Sequence, residues 1–574
     1  MRSVRSKRAP LLGIVVLLAT VSTLIGVSAG PSLAVQPVER TLASGVADVN
    51  NVQGARWRKV AFTARADSSG TSTLRLSWTG TASMHFAVLN SASTRLASNL
   101  TTANPKSISL TLTPGANYYT TLWAVSGIAN FTMTITENLP DPVPDPNPVP
   151  SGRPNLIVIN TDDQRPDTLA YMPKLRAWMQ DGGTTFPNAY VSTPSCCPSR
   201  ASLMSGRYVH NNGQFQQLAT GFSLENTTQR YLKEAGYFTG HAGKFLHWLP
   251  LNQRAPYWDR WTYFKGGYYG VAMRMENSTV TTTRNSTIIT FEKGMEYITD
   301  FESRDDSKPF YLNLAPIAPH GPSTPEPQYS TTPVPEMTIL PSHDEVDRTD
   351  KPDHVQSKNI SLASAIETRA NMIRTLYTVD DQFDLFMRHL EAAGELDNTL
   401  IIYTSDNGYF WGEHKLQSKF RPYTESVNVP FMIRWPGKVT PGVSDPRQIT
   451  HVDVAPTLLA AAGTSQNSVV FDGRNIMTAP ARERAYMEYY YDSANNNGIT
   501  TWASIRTATY QYVEYYGSTN AMDVVSFREY YDLVNDPYQM VNLYNDGDST
   551  NDPDTVRLSA ELAAAKTCVG SACP

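Results

Sequence analysis

The chain has 574 residues and a formal net charge of −5, with 48 lysine and arginine residues against 53 aspartate and glutamate residues. Hydrophobic residues make up 41% and charged residues 18%, which is a globular composition. This balance leaves no broad basic field, so we expect no nucleic-acid partner. The length exceeds that of one ordinary domain, so we expect more than one.

The first 34 residues have the pattern of an export signal. A basic start is followed by an apolar stretch over residues 11–27 and by small residues that end in Ser32-Leu33-Ala34. We therefore predict a signal peptide over residues 1–34 and a secreted, extracellular protein. A retained membrane anchor is the alternative. Threonine and serine interrupt the stretch and no charged stop-transfer patch follows it, so no stable membrane anchor is expected.

Residues 37–139 have the alternating pattern of short strands, for example at residues 72–78 and 131–136. Turn residues separate these segments and no helical period appears, which predicts a small all-β sandwich. Its pattern resembles the accessory β-domains of secreted bacterial hydrolases. A proline-rich run follows, and we predict a semi-rigid linker over residues 140–152.

Residues 153–574 have the sequence pattern of an α/β domain. Apolar runs at residues 155–160, 310–315 and 399–404 are typical of strands buried on both faces. Polar residues follow all three runs, and sites in α/β sheets collect at the carboxyl ends of strands. A helix is predicted between the last two runs because six apolar residues share one of its faces: Ile373, Leu376, Val379, Phe383, Phe386 and Leu390.

Two polar pairs stand directly after predicted strands. Asp162 and Asp163 follow the first strand, and Asp406 and Asn407 follow the third. Three carboxylates and one amide oxygen suit a hard divalent cation, Ca²⁺ or Mg²⁺. The alternative is that each pair only caps a helix or shapes a turn.

The four cysteines fall into two different pairs. Cys568 and Cys573 enclose four residues and can close a small disulfide loop in an oxidising compartment. Cys196 and Cys197 are adjacent, and a disulfide between neighbours is strained. They also lack metal-ligand spacing, so reactivity is the better explanation for a cysteine at this position.

The run Cys196-Cys197-Pro198-Ser199-Arg200, with Gly206-Arg207 downstream, resembles the signature of the type I sulfatases. In that family a formylglycine-generating enzyme oxidises the first cysteine to formylglycine, which implies that modification at Cys196. The resemblance extends from about residue 154 to residues 530–537. It implies an alkaline-phosphatase-like α/β domain over residues 153–574, with a smaller C-terminal subdomain from about residue 440.

The family resemblance also assigns roles to single residues. It implies that Asp162, Asp163, Asp406, Asn407 and Cys196 hold the cation. Arg200 matches the arginine that supports formylglycine, and Lys244 and Lys419 match the two lysines that bind the sulfate. His320, in Ala318-Pro319-His320-Gly321-Pro322, resembles the histidine beside the leaving-group oxygen. Asp453, in a recurrent family segment, is predicted to cap a helix.

One position departs from many family members, which carry a histidine two residues after the first lysine. This chain has Leu246 there and His247 one residue later. Lys244-Phe245-Leu246-His247 resembles the branch of N-acetylglucosamine-6-sulfatases, heparan 6-sulfatases and arylsulfatases, with His247 in place of an asparagine. Whether His247 holds the formylglycine hydroxyl or touches substrate stays open.

The resemblance implies a sulfuric ester hydrolase that acts on 6-sulfated glucosamine residues or aryl sulfates. One hydroxyl of hydrated formylglycine attacks sulfur and forms a covalent sulfoenzyme, and the other expels sulfate. Lys244, Lys419 and the cation offset developing charge, and His320 or His247 protonates the leaving group. The alternatives are a phosphonate monoester or phosphodiester hydrolase of the same superfamily, and a glycan-binding protein with an inactive sulfatase domain.

Overall fold

The computed structural model describes most of the chain after the predicted signal peptide. The described residues are 35–48, 57–64, 69–80, 83–101, 103–113, 116–126, 128–140, 152–305, 307–464, 470–495 and 498–574. The predicted signal peptide at residues 1–34, and residues 141–151 of the predicted linker, lie outside them. The chain divides into two compact units, residues 1–143 and 144–574.

The first unit is built from antiparallel strands. Numbered along the chain, they are β1 (Val35–Asp48), β2 (Trp57–Thr63), β3 (Ser69–Gly80), β4 (Ser83–Asn90), β5 (Arg95–Asn99), β6 (Lys106–Thr111), β7 (Asn117–Ser126) and β8 (Ile128–Pro140). Among the described residues they form two four-stranded sheets, in the orders β1-β8-β3-β6 and β2-β7-β4-β5. The sequence predicted strands at residues 72–78 and 131–136, and both lie within β3 and β8.

One hydrophobic core joins these two sheets. Alternate residues of β3, such as Leu74 and Leu76, and of β4, such as Phe86 and Val88, are fully buried in the same cluster. Because successive side chains of a strand point to opposite faces, this alternation buries one face of each sheet. The first unit is therefore a small all-β sandwich, as the sequence predicted.

The strands of the second unit continue the numbering. They are β9 (Asn155–Thr161), β10 (Thr184–Thr185), β11 (Ala189–Tyr190), β12 (Phe238–Lys244), β13 (Arg260–Phe264), β14 (Val271–Met275), β15 (Ser278–Thr282), β16 (Phe310–Ala315), β17 (Thr399–Ser405), β18 (Phe410–Trp411), β19 (Gln417–Ser418), β20 (Phe431–Arg434), β21 (Val443–Ser444), β22 (Ile449–Thr450), β23 (Ala485–Tyr489), β24 (Trp502–Arg506), β25 (Tyr510–Tyr515) and β26 (Phe527–Asp532).

Helices pack around these strands. The α-helices are α1 (Pro173–Leu175), α2 (Cys196–Ser205), α3 (Val209–Asn212), α4 (Thr228–Glu234), α5 (Ser286–Arg304), α6 (Asp353–Gln356), α7 (Leu362–Ala392), α8 (Thr424–Val427), α9 (Val454–Ala461) and α10 (Thr555–Ala565). Single 3₁₀ or π turns occupy Pro166–Tyr171, Arg176–Gln180, Leu224–Asn226, Pro341–His343, Leu396–Asn398, Glu413–Lys415, His451–Asp453, Ser493–Asn495 and Gly570–Ala572. The predicted helix is α7, and all six of its predicted apolar residues are buried. The Ser361 hydroxyl caps α7 by accepting the Ser364 amide.

A central sheet organises the second unit. In the described residues its strand order is β15-β14-β13-β12-β16-β9-β17-β20-β10-β21. The inner strands β12, β16, β9 and β17 run parallel. Leu156 and Val158 of β9 pack into one core, whereas Ile157 and Ile159 pack into a second core. The continuous apolar runs of the sequence therefore mark strands covered on both faces.

The C-terminal subdomain contains an antiparallel sheet, β23-β24-β25-β26. Helix α10 follows it, and a disulfide joins Cys568 to Cys573, as the sequence predicted. Among the residues that the structure describes, no helix combines the length and the apolarity that a membrane crossing requires.

Candidate active site

The order of strands in the central sheet brings the two polar pairs together. Strands β9 and β17 are parallel neighbours, with Thr161 opposite Ser405, so the residues after both strands meet at one edge. The Asp163 amide donates to Asp406 Oδ1 at 3.2 Å, and Asn407 Nδ2 donates to Asp163 Oδ1 at 2.6 Å. Asp163 adopts a left-handed φ of 68°, which a non-glycine residue seldom takes. The strain is stored where side chains must converge.

Cys196 begins helix α2 and points at this edge. Its Sγ lies 3.8 Å from Asp162 Oδ1 and 2.9 Å from Lys419 Nζ. The helix start is held by Gln217, which the sequence analysis missed. Gln217 Oε1 accepts the Cys197 amide at 3.0 Å and its Nε2 donates to Ser195 Oγ at 3.0 Å. An isolated glutamine gives no sequence signal for such a role.

Three cations surround the three carboxylates. Arg200, one turn into α2, donates from Nε to Asp406 Oδ2 at 2.9 Å and from Nη2 to Asp162 Oδ2 at 3.1 Å. Lys244 pairs with Asp162, and Lys419 pairs with Asp163. Arg200 Nη1 also donates to the Lys244 carbonyl at 3.1 Å. The predicted lysines and arginine thus share one buried cluster with the predicted metal ligands.

Lys244 is placed by the last residues of β12. Gly243, directly before it, has a φ of 122°. A Cβ atom there would collide with the Ala315 carbonyl of β16. Glycine lets β12 approach β16 closely enough to direct the Lys244 ammonium at Asp162.

The charges of the cluster depend on one another. Burial alone would raise the pKa of Asp162, but Lys244, His320, Arg200 and Lys419 hold it well below the usual range. Burial would likewise lower the pKa of Lys419, and the Asp163 carboxylate raises it well above the usual range. Both groups are therefore charged at neutral pH.

The two predicted histidines occupy different positions. His320 follows β16, is 33% exposed at its side chain, and its Nε2 lies 3.9 Å from Asp163 Oδ2. Burial would lower the pKa of His320, but Asp163 and Asp162 raise it to about 9. His247 donates from Nε2 to the Lys265 carbonyl at 3.0 Å, and burial and Lys244 lower its pKa to about 3. In the described part of the chain, the structure brings His320 to Cys196 but gives the His247 ring no hydrogen bond to the cluster.

The donor atoms fit a divalent cation. Ligand atoms of Asp162, Asp163, Cys196 and His320 all lie within 4.8 Å of one another. Among the described residues the buried Asn407 Oδ1 has no hydrogen-bond partner, and it adds an unsatisfied oxygen beside them. An unsatisfied buried acceptor beside paired carboxylates is what a hard cation requires. The structure therefore supports a possible metal site at this edge of the sheet.

His451 supports the site from behind. Its Nδ1 lies 3.0 Å from Ser199 Oγ and its Nε2 lies 3.2 Å from Thr404 Oγ1, so it links α2 to β17. These contacts give His451 a structural role. Asp453 does not cap α9, but its carboxylate accepts the Thr450 amide at 2.8 Å and so completes the capping box of the short 3₁₀ helix His451–Asp453.

Known proteins resemble this chain in sequence and in fold. The family model described as Sulfatase matches residues 154–464, and the model described as N-sulphoglucosamine sulphohydrolase, C-terminal, matches residues 412–566. An extracellular sulfatase SULF-1 homolog of Drosophila melanogaster is 33% identical over 386 residues, covering 59% of this chain and 32% of that protein. The chain thus spans about a third of that relative's length.

Two further proteins resemble a larger part of the chain. The N-acetylglucosamine-6-sulfatase of Homo sapiens is 26% identical over 495 residues, covering 73% of this chain and 86% of that protein. A structure solved with its substrate D-glucosamine-2-N,6-O-disulfate superposes with a TM-score of 0.62 and 23% identity, covering 72% of this chain and 96% of that one. That likeness shows a shared alkaline-phosphatase-like fold. The Sulfatase family model matches more than half of the residues of this chain. The chain therefore belongs to the sulfatase family.

Proposed function

We propose that this protein hydrolyses sulfate esters with a nucleophile made from Cys196. The observation that carries the proposal is the position of Cys196 Sγ, 2.9 Å from Lys419 Nζ and 3.8 Å from Asp162 Oδ1. A side chain at this point is close both to a cation that binds anions and to the candidate metal ligands. Conversion of Cys196 to hydrated formylglycine, by a formylglycine-generating enzyme, would supply a hydroxyl nucleophile there.

The other residues of the cluster bind and orient the ester. Lys244 and Lys419 bring two ammonium groups to the nucleophile, where they hold sulfate oxygens and offset charge in the transition state. Arg200 keeps Asp162 and Asp406 in place through its two donor contacts. Asp162, Asp163, Asp406, Asn407 and the residue at position 196 would hold Ca²⁺ or Mg²⁺, which supplies Lewis-acid activation.

His320 is the proposed proton donor to the leaving group. It lies in the cluster and, with a side chain that is 33% exposed, is the most exposed member of it. Its Nδ1 donates to the Gly321 carbonyl at 2.7 Å, so Nε2 is the nitrogen that faces Asp163 and would face the substrate oxygen. His247 is the second candidate. Its hydrogen bond to Lys265 directs Nε2 away from that role.

The proposed substrate is a sulfated sugar of the 6-sulfated glucosamine class, with aryl sulfates as a second class. The relatives support this: one is an N-acetylglucosamine-6-sulfatase and one was solved with a glucosamine disulfate. Secretion is proposed from the signal sequence and from the extracellular relative. We also propose the domain boundaries that the sequence predicts: a β-sandwich over residues 37–139, a linker over residues 140–152 and the α/β domain over residues 153–574.

Two measurements test the proposal together. Mass spectrometry of the peptide that contains residue 196 should show an aldehyde or its hydrate in place of the thiol. Rates on a matched aryl sulfate and aryl phosphodiester should favour the sulfate. Full activity with an intact thiol would contradict the modification. A preference for the phosphodiester would identify a phosphonate or phosphodiester hydrolase instead.

A panel of sulfated sugars then tests the substrate class. We expect hydrolysis of the 6-sulfate ester in glucosamine 6-sulfate and in its N-sulfated or N-acetylated forms. The release of free sulfate measures this hydrolysis. Binding of the same sugars without release of sulfate, in protein that carries the aldehyde, would identify an inactive glycan-binding protein.

A further inference from the structure

Residues 418–422 form the Lys419 segment. Main-chain carbonyls of this segment accept hydrogen bonds from the C-terminal sheet. Trp502 of β24 donates from Nε1 to the Phe420 carbonyl at 2.9 Å. Gln511 of β25 donates from Nε2 to the Pro422 carbonyl at 2.6 Å. Both donors are fully buried, and they lie on adjacent strands of one sheet. Two carbonyls within three residues of Lys419 are therefore fixed by side chains from outside the segment.

The backbone around Lys419 needs such support. Ser418 and Phe420, on either side of it, have left-handed φ angles of 76° and 79°. Non-glycine residues pay a steric cost in this region, and the conformation persists only where surrounding contacts hold it. The Lys419 ammonium is consequently placed by a strained backbone and by the donors bonded to it.

Arg421 adds a third contact to the same segment. Its guanidinium is buried, with Nη1 3.4 Å from the Lys419 carbonyl and Nη2 3.0 Å from the His354 carbonyl. No carboxylate of the described residues pairs with it, and burial lowers its pKa to about 10. A buried charge without a carboxylate is costly. Its two contacts agree with a role in holding main-chain carbonyls.

We propose that Trp502 is a positioning residue for Lys419, acting through its hydrogen bond to the Phe420 carbonyl. The inference rests on the proposed function, in which Lys419 binds the sulfate oxygens. Lys419 Nζ lies 2.9 Å from Cys196 Sγ, so a small shift of the segment changes the distance between the bound sulfate and the nucleophile. The C-terminal sheet thus sets the geometry of a residue that lies in the site.

The test uses the full chain with Ca²⁺ and inorganic sulfate as the probe. Trp502→Phe removes the indole donor, and Trp261→Phe is the matched control. Trp261 is equally buried in the same core, but its Nε1 has no hydrogen-bond partner in the part of the chain that the structure describes. We expect Trp502→Phe to raise the Kd for sulfate, measured by calorimetry, about fivefold, because one hydrogen bond is lost. Trp261→Phe should leave that Kd unchanged.

A double-mutant cycle with Lys419→Ala separates positioning from general destabilisation. We expect Trp502→Phe to add no further loss of sulfate affinity once Lys419 is absent. Equal Kd values for the two tryptophan variants, or a Trp502→Phe effect that persists in the Lys419→Ala protein, would overturn the inference. If Lys419→Ala itself leaves sulfate binding unchanged, the proposed role of Lys419 fails instead.

A second variant covers the case in which Trp502→Phe does not fold. Gln511→Glu keeps the side-chain shape and the oxygen that accepts from Arg506, but replaces the donor to the Pro422 carbonyl. It should also raise the Kd for sulfate. The fold-increase in KM for the ester should exceed the fold-decrease in kcat. Sulfate affinity like that of the wild type would count against the inference.

Discussion

Two buried networks of charged residues lie next to each other along the same loops. The network of the proposed active site, called the catalytic network below, consists of Asp162, Asp163, Asp406, Arg200, Lys244 and Lys419. The loop network consists of Arg165, Glu413, His343, Glu345, His414 and Lys351. Side chains in both are at most 10% exposed. Burial and ion pairing alone do not distinguish a catalytic site from a structural one.

What differs is convergence on a reactive atom. In the catalytic network, Lys419 and Asp162 both lie beside the Cys196 thiol. In the described residues the loop network contains no nucleophile, and its ligand atoms do not form a compact cluster like that of Asp162, Asp163, Cys196 and His320. Arg165 and Glu413 instead pair at 2.6 Å and join the loop of Asp163 to the loop of Lys419. The loop network is therefore expected to stabilise the two loops that carry Asp163 and Lys419.

The adjacent cysteines give the largest expected effect. Cys196→Ala removes the precursor of the proposed nucleophile and should lower kcat for an aryl sulfate by at least about 10⁴-fold. Cys197→Ala is the matched control. Its thiol only accepts the His247 amide at 3.2 Å, and burial raises its pKa to about 12, so it is an unreactive thiol at neutral pH. Loss of activity in Cys197→Ala comparable to that in Cys196→Ala would contradict the assignment.

Removal of divalent cations should act on the catalytic network alone. Lewis-acid stabilisation contributes several kcal/mol, so dialysis against a chelator is expected to lower kcat by about 10³-fold. Added Ca²⁺ or Mg²⁺ should restore the rate and raise the melting temperature, because a ligand of the folded state stabilises it. Full activity in excess chelator, with the bound metal measured by mass spectrometry as absent, would exclude a metal at Asp162 and Asp163.

The sequence predicted the elements of the site better than their arrangement. Continuous apolar runs identify β9, β16 and β17, since strands covered on both faces have no polar face to alternate with. The cysteine motif resembles a known family directly. The adjacency of β9 and β17 could not be predicted from the residues, because the two strands are more than two hundred positions apart and strand order depends on the whole sheet.

The supporting contacts were the least predictable part. Gln217 and His451 each make two hydrogen bonds at the site, and Trp502 makes one to the main chain of the Lys419 segment. Neither periodicity nor spacing marks such residues, since their partners are main-chain groups and hydroxyls that only tertiary packing brings near them. The left-handed φ angles of Ser418 and Phe420 are likewise imposed by the fold, against the preference of those residue types.

The loop network should respond in stability instead of rate. Glu413→Gln leaves the buried Arg165 guanidinium with a weaker partner, so the free energy of unfolding should fall by about 3 kcal/mol. Asp167→Asn is the control, because Asp167 pairs with the same arginine but is 55% exposed, and should change that free energy by less than about 1 kcal/mol. Urea unfolding measures both. The kcat of folded Glu413→Gln should stay within about tenfold of wild type, whereas a loss like that of Cys196→Ala would place Glu413 in the catalytic network.

The ion pair of His210 with Glu488, outside both networks, gives the smallest expected effect, and this effect depends on pH. His210 Nδ1 lies 3.0 Å from Glu488 Oε1, and its Nε2 donates to the Cys568 carbonyl at 3.0 Å. Burial would lower the pKa of His210, but Glu488 and that carbonyl raise it from 6.5 to about 9. Protonated His210 therefore stabilises the fold fully below pH 6.5, and this contribution is lost as the pH rises through about 9. We expect His210→Gln to cost about 2 kcal/mol in urea unfolding at pH 6 and almost nothing at pH 9.5. An equal cost at both pH values would show that the ring contributes by packing and hydrogen bonding, and that ion pairing adds nothing there.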